Sequence, residues 1–131
     1  MSGYMLDTNA CIDFLLGRSD PLARRMGEAF GQLHVSAITA GELRVGNRTS
    51  REPDKDAKRI DTFLAALSVL VFSNDSAIAY ARMVRAVGMR RGSFDRLIAA
   101  QAIVDGLTLV TNNERDFADI PGLRIENWTQ A

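Results

Sequence analysis

The segment Phe94-Asp95-Arg96-Leu97-Ile98-Ala99-Ala100-Gln101-Ala102-Ile103-Val104-Asp105-Gly106-Leu107-Thr108-Leu109-Val110 decides the fold class. From Leu97 to Val104 it is apolar nearly all round, the composition of a buried helix. Gly106 breaks that helix, and Leu107 to Val110 is an apolar, β-branched run of strand length. A buried helix feeding a strand is a unit of a parallel sheet flanked by helices.

Outward from this unit the same alternation repeats. Tyr4 to Leu6, Leu33 to Ser36, Val69 to Phe72 and Leu123 to Ile125 have the length and composition of further strands. Ala57, Ile60, Phe63, Leu64 and Leu67 recur at helical spacing, as do Ala77, Ile78, Ala81 and Val84. The polar interval Asn47 to Arg59 mixes both signs of charge and reads as a loop entering a solvated helix. Gly17, Pro21, Pro53, Gly88, Gly92 and Pro121-Gly122 punctuate the elements, and no gap is long enough for an interdomain linker. The expectation is an α/β chain of about five parallel strands forming one domain over residues 1–131.

Composition excludes several classes. The 131 residues carry 16 basic and 16 acidic side chains, and 47% are hydrophobic, which suits one packed core rather than a disordered tail. Phe63 to Phe72, interrupted by Ser68, falls well short of the roughly 20 residues that span a bilayer. The opening Met1 to Asp7 has no basic n-region and reaches a carboxylate early, so a cytoplasmic location is expected. Cys11 is the only cysteine and His34 the only histidine, too few for a zinc site or an internal disulfide.

The carboxylates carry the chemistry. In an open α/β sheet ligands bind beyond the carboxyl ends of the strands. Asp7 ends the first strand, Glu42 lies on the helix after the second, Asp95 opens the buried helix, and Asp116 follows the fourth strand. Each has a plain structural reading. Asp7 or Thr8 can cap a helix through Ile12 to Leu16; Thr39-Ala40-Gly41-Glu42 fits a capping box; Asp95 follows a plausible Ser93 cap; Asp116 sits in a polar turn. Together they ask for more, because four acids at one sheet edge repel one another unless a cation compensates. Oxygen ligands without His or Cys select a hard divalent ion such as Mg²⁺ or Mn²⁺, which suits phosphoryl chemistry without a histidine base. His34, between Leu33 and Val35, reads as a sheet-packing residue.

Two other α/β architectures place an early Asp and bind Mg²⁺, the haloacid-dehalogenase-like phosphatases and the receiver domains. Both use a late lysine to hold phosphate, and here the last lysine is Lys58. Neither G-x-x-x-x-G-K-[ST] nor G-x-G-x-x-G occurs, which removes the common nucleotide-binding loops.

Arginine dominates the basic residues. No acid lies between Asp75 and Asp95, while Arg82, Arg85, Arg90 and Arg91 fall in that window and Arg96 follows. Arg85, Arg90, Arg91 and Arg96 are the candidate contacts to an RNA backbone. Phe94, at the head of a buried helix, is read first as a core residue and second as a stacking platform; Trp128 reads as an anchor for the last strand.

At this point the motifs resemble a known family. Met5-Leu6-Asp7-Thr8-Asn9, Ser36-Ala37-Ile38-Thr39-Ala40-Gly41-Glu42-Leu43, Phe94-Asp95-Arg96-Leu97-Ile98-Ala99-Ala100, Leu109-Val110-Thr111-Asn112-Asn113-Glu114-Arg115-Asp116-Phe117 and Gly122-Leu123-Arg124-Ile125-Glu126-Asn127-Trp128 are similar, in order, to the PIN-domain ribonucleases, specifically the VapC-type toxins of toxin-antitoxin pairs. The resemblance implies a three-layer α/β/α sandwich with a central parallel sheet and a cytoplasmic endoribonuclease that requires Mg²⁺ or Mn²⁺. It implies a homodimer, assembling with a cognate VapB-like antitoxin into a heterotetramer or larger complex, and an RNA substrate that is a tRNA, an rRNA or an mRNA. Asp7, Glu42, Asp95 and Asp116 match its acidic quartet, both catalytic and metal-holding, with Thr8, Asn9, Thr111 and Asn113 as supporting polar positions. Some relatives carry an acid at the position of Asn113, which leaves the number of metal ions open. The alternative is a non-catalytic metal- or RNA-binding module of the same fold.

Overall fold

The computed structural model describes residues 3–46 and 50–130. Met1, Ser2 and the Asn47, Arg48 and Thr49 portion of the polar interval lie outside the described residues.

The chain runs β1 (Tyr4–Leu6), α1 (Thr8–Leu15), α2 (Asp20–Glu28), β2 (Leu33–Ser36), α3 (Ala37–Gly46), α4 (Pro53–Ala65), β3 (Ser68–Leu70), α5 (Asn74–Val87), α6 (Asp95–Val104), β4 (Thr108–Val110) and β5 (Ile125–Glu126), with a 3₁₀ turn at Glu114–Asp116. The five strands are all parallel, in the order β3-β2-β1-β4-β5. The expected α/β architecture and strand number are therefore present.

Alternation along the strands divides the core in two. Leu6, Val35 and Val110 pack with Cys11, Leu22, Leu43 and Phe63 from α1 to α4. Met5 and Leu109, one residue before Leu6 and Val110, point the other way into Met83, Ile98, Ala99 and Ala102 of α5 and α6. Helices thus cover both faces, giving three layers. The helix read as buried, α6, has Ile98, Ala99, Ala100 and Ala102 fully inaccessible to solvent.

Three strand boundaries differ from the sequence reading, each for a local reason. β3 starts at Ser68 and stops at Leu70, because its partner β2 ends at Ser36 and turns directly into α3. The carbonyls of Leu70 and Val71 instead accept from Nε2 of buried Gln101, whose Oε1 accepts from Ser36 Oγ at 2.6 Å. Leu107 stays out of β4, since its N–H closes the end of α6 on the Ala102 carbonyl. β5 begins at Ile125, after a turn in which Gly122 holds φ +80°, a conformation that disfavours any side chain. Beyond β5, Trp128 is buried edge-on against Tyr4 with Nε1 donating to Glu126, the anchoring role expected of it.

Candidate active site

The sheet reverses its winding direction at β1, which has β2 on one side and β4 on the other. The carboxyl ends of β1 and β4 therefore flank the crevice where this class of sheet places its ligands. Asp7 leaves β1 there, and Thr111 leaves β4 beside it.

Asp7 is held from three directions. Its N–H donates to the Val110 carbonyl, its carbonyl accepts from Cys11, and its carboxylate caps α1 by accepting from Ala10 N–H at 2.7 Å. The cap reading is therefore correct, and it leaves the residue only 1% exposed. Burial pushes the Asp7 carboxyl up to about 6, against the pull of hydrogen bonds from Thr111 and Ala10, and the charges of Asp95 and Asp13 push the same way. The chain has built a carboxylate that gains from a nearby cation.

The capping box expected at Thr39 to Glu42 does not form. Because β2 runs straight into α3, the cap is Ser36, whose Oγ accepts from Ile38 N–H, and Thr39 lies inside the helix. Glu42 is thereby released from the backbone. Its Oε1 accepts from Thr8 Oγ1 at 2.6 Å, and the same hydroxyl stands 3.1 Å from Thr39 Oγ1, tying α1 to α3.

Asp95 opens α6 and donates its N–H to Ser93 Oγ at 3.1 Å, but Ser93 lies one residue before the N-cap, which is Phe94 and makes no side-chain cap bond, so the expected Ser93 cap is not formed. Burial raises its carboxyl; the Ser93 hydrogen bond opposes this, Asp116 adds to it, and Arg90 and Arg96 oppose it. Asp116, in the 3₁₀ turn, pairs with Arg90 at 3.1 Å. Asp7 is thus raised by the charge of Asp95, and Asp95 by that of Asp116, which links the three acids in one electrostatic chain. Thr111 Oγ1 accepts from Asn113 N–H at 2.9 Å while its side chain hydrogen-bonds Asp7, so Thr111 supports the site and Asn113 shapes the turn through its backbone. Asn9 is exposed on the first turn of α1.

Among the described residues no three His, Cys, Asp or Glu side chains are gathered closely enough to hold a metal ion as they stand. Three of the candidate acids have a partner within the chain: Asp7 accepts from Ala10 N–H, Glu42 from Thr8 and Asp116 from Arg90. The donor chemistry nonetheless suits a hard divalent ion, since every candidate group offers oxygen. Cys11, next to this site, is fully buried, and burial together with Asp7 keeps its thiol protonated. His34 packs at the other end of the sheet, where a Cβ on Gly3 would come within 3.3 Å of its Nε2.

The arginines divide. Arg85 and Arg91 are exposed, and Arg90 is held on Asp116. Arg96 is a correction. It is only 4% exposed, and its guanidinium makes two 2.9 Å hydrogen bonds to Asp119, so it fastens α6 to the segment after the 3₁₀ turn and is not presented to RNA phosphates. An arginine between apolar neighbours on a buried helix signals an ion pair that draws its guanidinium to the surface, here to exposed Asp119, but its partner cannot be read from spacing. Phe94 is also corrected: it is 51% exposed rather than in the core. Sequence reading missed Asp13, a buried acid of α1 that pairs with Arg18 and accepts from Asn112 Nδ2. Its position between Ile12 and Phe14 on an apolar helix was the available signal.

The PIN domain family matches residues 4–123 of this chain. The tRNA(fMet)-specific endonuclease VapC of Salmonella typhimurium is 35% identical over 132 residues, covering 98% of this chain and 99% of that protein. Ribonuclease VapC2 of Rickettsia felis is 33% identical over 131 residues, covering 95% and 97%. The solved structure of DNA-bound VapBC from Salmonella typhimurium superposes with a TM-score of 0.90 at 34% identity, covering 98% of this chain and 99% of that one.

Proposed function

Because this chain belongs to the PIN-domain family, we propose that it is the ribonuclease toxin of a toxin-antitoxin pair, an endonuclease that hydrolyses RNA phosphodiester bonds and is inhibited by a VapB-like antitoxin. The observation that carries this reading is Asp7, a nearly inaccessible carboxylate at the switch point of the sheet within electrostatic reach of Asp95, which in turn feels Asp116. The name of the Salmonella relative directs the choice of RNA toward tRNA. No helix among the described residues is long and apolar enough to cross a membrane, and we place the chain in the cytoplasm as a homodimer.

Asp7, Glu42, Asp95 and Asp116 are the residues that hold a divalent ion, Mg²⁺ or Mn²⁺. When bound, such an ion supplies an activated water and neutralises charge growing on the scissile phosphate. The chain does the rest. Thr111 and Ala10 N–H fix the orientation of Asp7, and Thr8 fixes Glu42. Arg90 and Arg91, on the loop before α6, hold the RNA backbone in line. With no histidine at the site, products carry 5′-phosphate and 3′-hydroxyl ends.

The test is induction of wild type and Asp7→Asn in a host lacking the antitoxin, with sequencing of new RNA 5′ ends. Discrete 5′-phosphate ends and growth arrest with wild type alone are expected. Ends bearing 2′,3′-cyclic phosphate, or cleavage undiminished in the variant, would overturn the mechanism. Turnover that persists in chelator would overturn the metal.

A further inference from the structure

We propose that the exposed ring of Phe94 is a stacking platform for an unpaired base of the RNA substrate, seated beside the bond that is cut. The proposal rests on the nuclease reading above and adds how the substrate is positioned.

Phe94 stands at the entry to α6, immediately before Asp95, with no side-chain capping bond to hold it. The inward positions of α6 are taken by Ile98, Ala99 and Ala102, so the ring of Phe94 is left outside the core. With Ile38, Glu42, Val45 and Leu97 it lines a recess of about 520 Å³, apolar except at Glu42. That volume falls within the range of small-ligand pockets and accommodates a planar base. Glu42 also ties the recess to the acidic site, because it forms one wall and is held by Thr8 next to Asp7.

The surroundings favour nucleic acid over an apolar partner. The loop that delivers Phe94 carries Arg90 and Arg91, and no acid occurs from Ser76 to Phe94. In sequence Phe94 lies between Arg91 and Asp95, so a nucleotide with its base on the ring has basic and acidic groups next to it. An aromatic face accepts any base, so the ring contributes affinity and placement rather than sequence choice. Single-stranded loops, whose bases can be splayed out, are the RNA elements that fit such a platform.

Two experiments decide. In cleavage assays Phe94→Ala should raise KM by roughly 5- to 150-fold, the range that loss of one stacked base implies. Phe94→Tyr should retain near wild-type KM, and Phe30→Ala, an exposed ring in the turn after α2, should leave KM unchanged. In an Asp7→Asn background, Phe94→Trp provides a direct signal, because the only native tryptophan, Trp128, is buried. A short single-stranded RNA of mixed sequence should quench the new fluorescence, and the same strand with abasic positions should not. An unchanged KM for Phe94→Ala together with no quenching would overturn the platform. A change of oligomeric state on Phe94→Ala without quenching in the Trp variant would overturn it in favour of a contact with a second copy. Failure of the nuclease reading is separate: wild type would then cut nothing, whereas the quenching assay does not depend on cleavage.

Discussion

Arg90 Nη1 lies 3.1 Å from Asp116 Oδ1, so a residue read as an RNA contact is engaged by a residue read as a metal ligand. Both side chains are more than a third exposed, which makes the pair worth less than about 1 kcal/mol to the fold. Its significance lies in competition. A guanidinium on Asp116 and a divalent ion neutralise the same charge, and binding of one releases the other. Arg90→Gln should therefore change the unfolding midpoint little, tighten Mn²⁺ binding several-fold in a calorimetric titration, and weaken RNA binding. Unchanged or weaker Mn²⁺ affinity in the variant would remove the competition.

Asp7 makes a prediction about pH. Its folded carboxyl is raised to about 6 from an ordinary 3.8, so between those values the folded state holds more protons than the unfolded state. Stability then falls as pH rises through this window and levels off above it, a loss on the order of 3 kcal/mol from this one group. Asp7→Asn keeps an oxygen for the Ala10 cap and removes the charge. In chelator the variant should be more stable than wild type near neutral pH, with the difference vanishing toward pH 4, as read by urea unfolding. Equal stabilities at neutral pH would contradict a destabilised carboxylate.

Buried Arg96, bonded to the exposed carboxylate of Asp119, makes a prediction about stability. Arg96→Ala removes two charge-assisted bonds and leaves a void beside α6, and should cost about 2–4 kcal/mol in denaturant unfolding. Arg96→Lys should recover only part of this, because an ammonium cannot reproduce the two-pronged bond. Single-stranded RNA affinity, measured on folded protein, should be unchanged in Arg96→Lys. A loss of RNA affinity at constant stability would return Arg96 to the binding surface.

The limits of the sequence reading lie in these same residues. The all-round apolar run from Leu97 to Val104 is a period signal, and it located α6 and the sheet it covers. Asp7, Asp95 and Asp116 are legible as acids at or just beyond element ends, and Glu42 as an acid on the helix that follows the second strand. What period cannot encode is pairing across distant segments. The bonds Ser36 to Gln101, Arg96 to Asp119 and Asp13 to Asn112 join elements far apart in sequence. Helix starts were misjudged where two elements abut: Ser36 rather than Thr39 caps α3, because no linker separates it from β2. Phe94 was placed in the core because it adjoins a buried helix, but one residue of helical rotation separates an inward from an outward position.

Thr8 and Glu42 supply the last prediction. Thr8 Oγ1 donates to Glu42 Oε1 at 2.6 Å, and the next hydroxyl in line is that of buried Thr39. The arrangement fixes one carboxylate oxygen and leaves the other available to a ligand. Thr8→Val preserves shape and removes the donor, so Glu42 loses its orientation while both helices remain packed. Cleavage should fall about 10- to 100-fold, the usual effect of deleting a hydrogen bond that orients a metal ligand. Thr8→Ser, which restores the donor, should recover most of the rate. The unfolding transition should move by no more than about 1 kcal/mol in Thr8→Val, since the lost bond is only partly buried. If Thr8→Val and Thr8→Ser lose activity equally, the methyl group rather than the hydroxyl is what the site requires, and Glu42 is not oriented through Thr8.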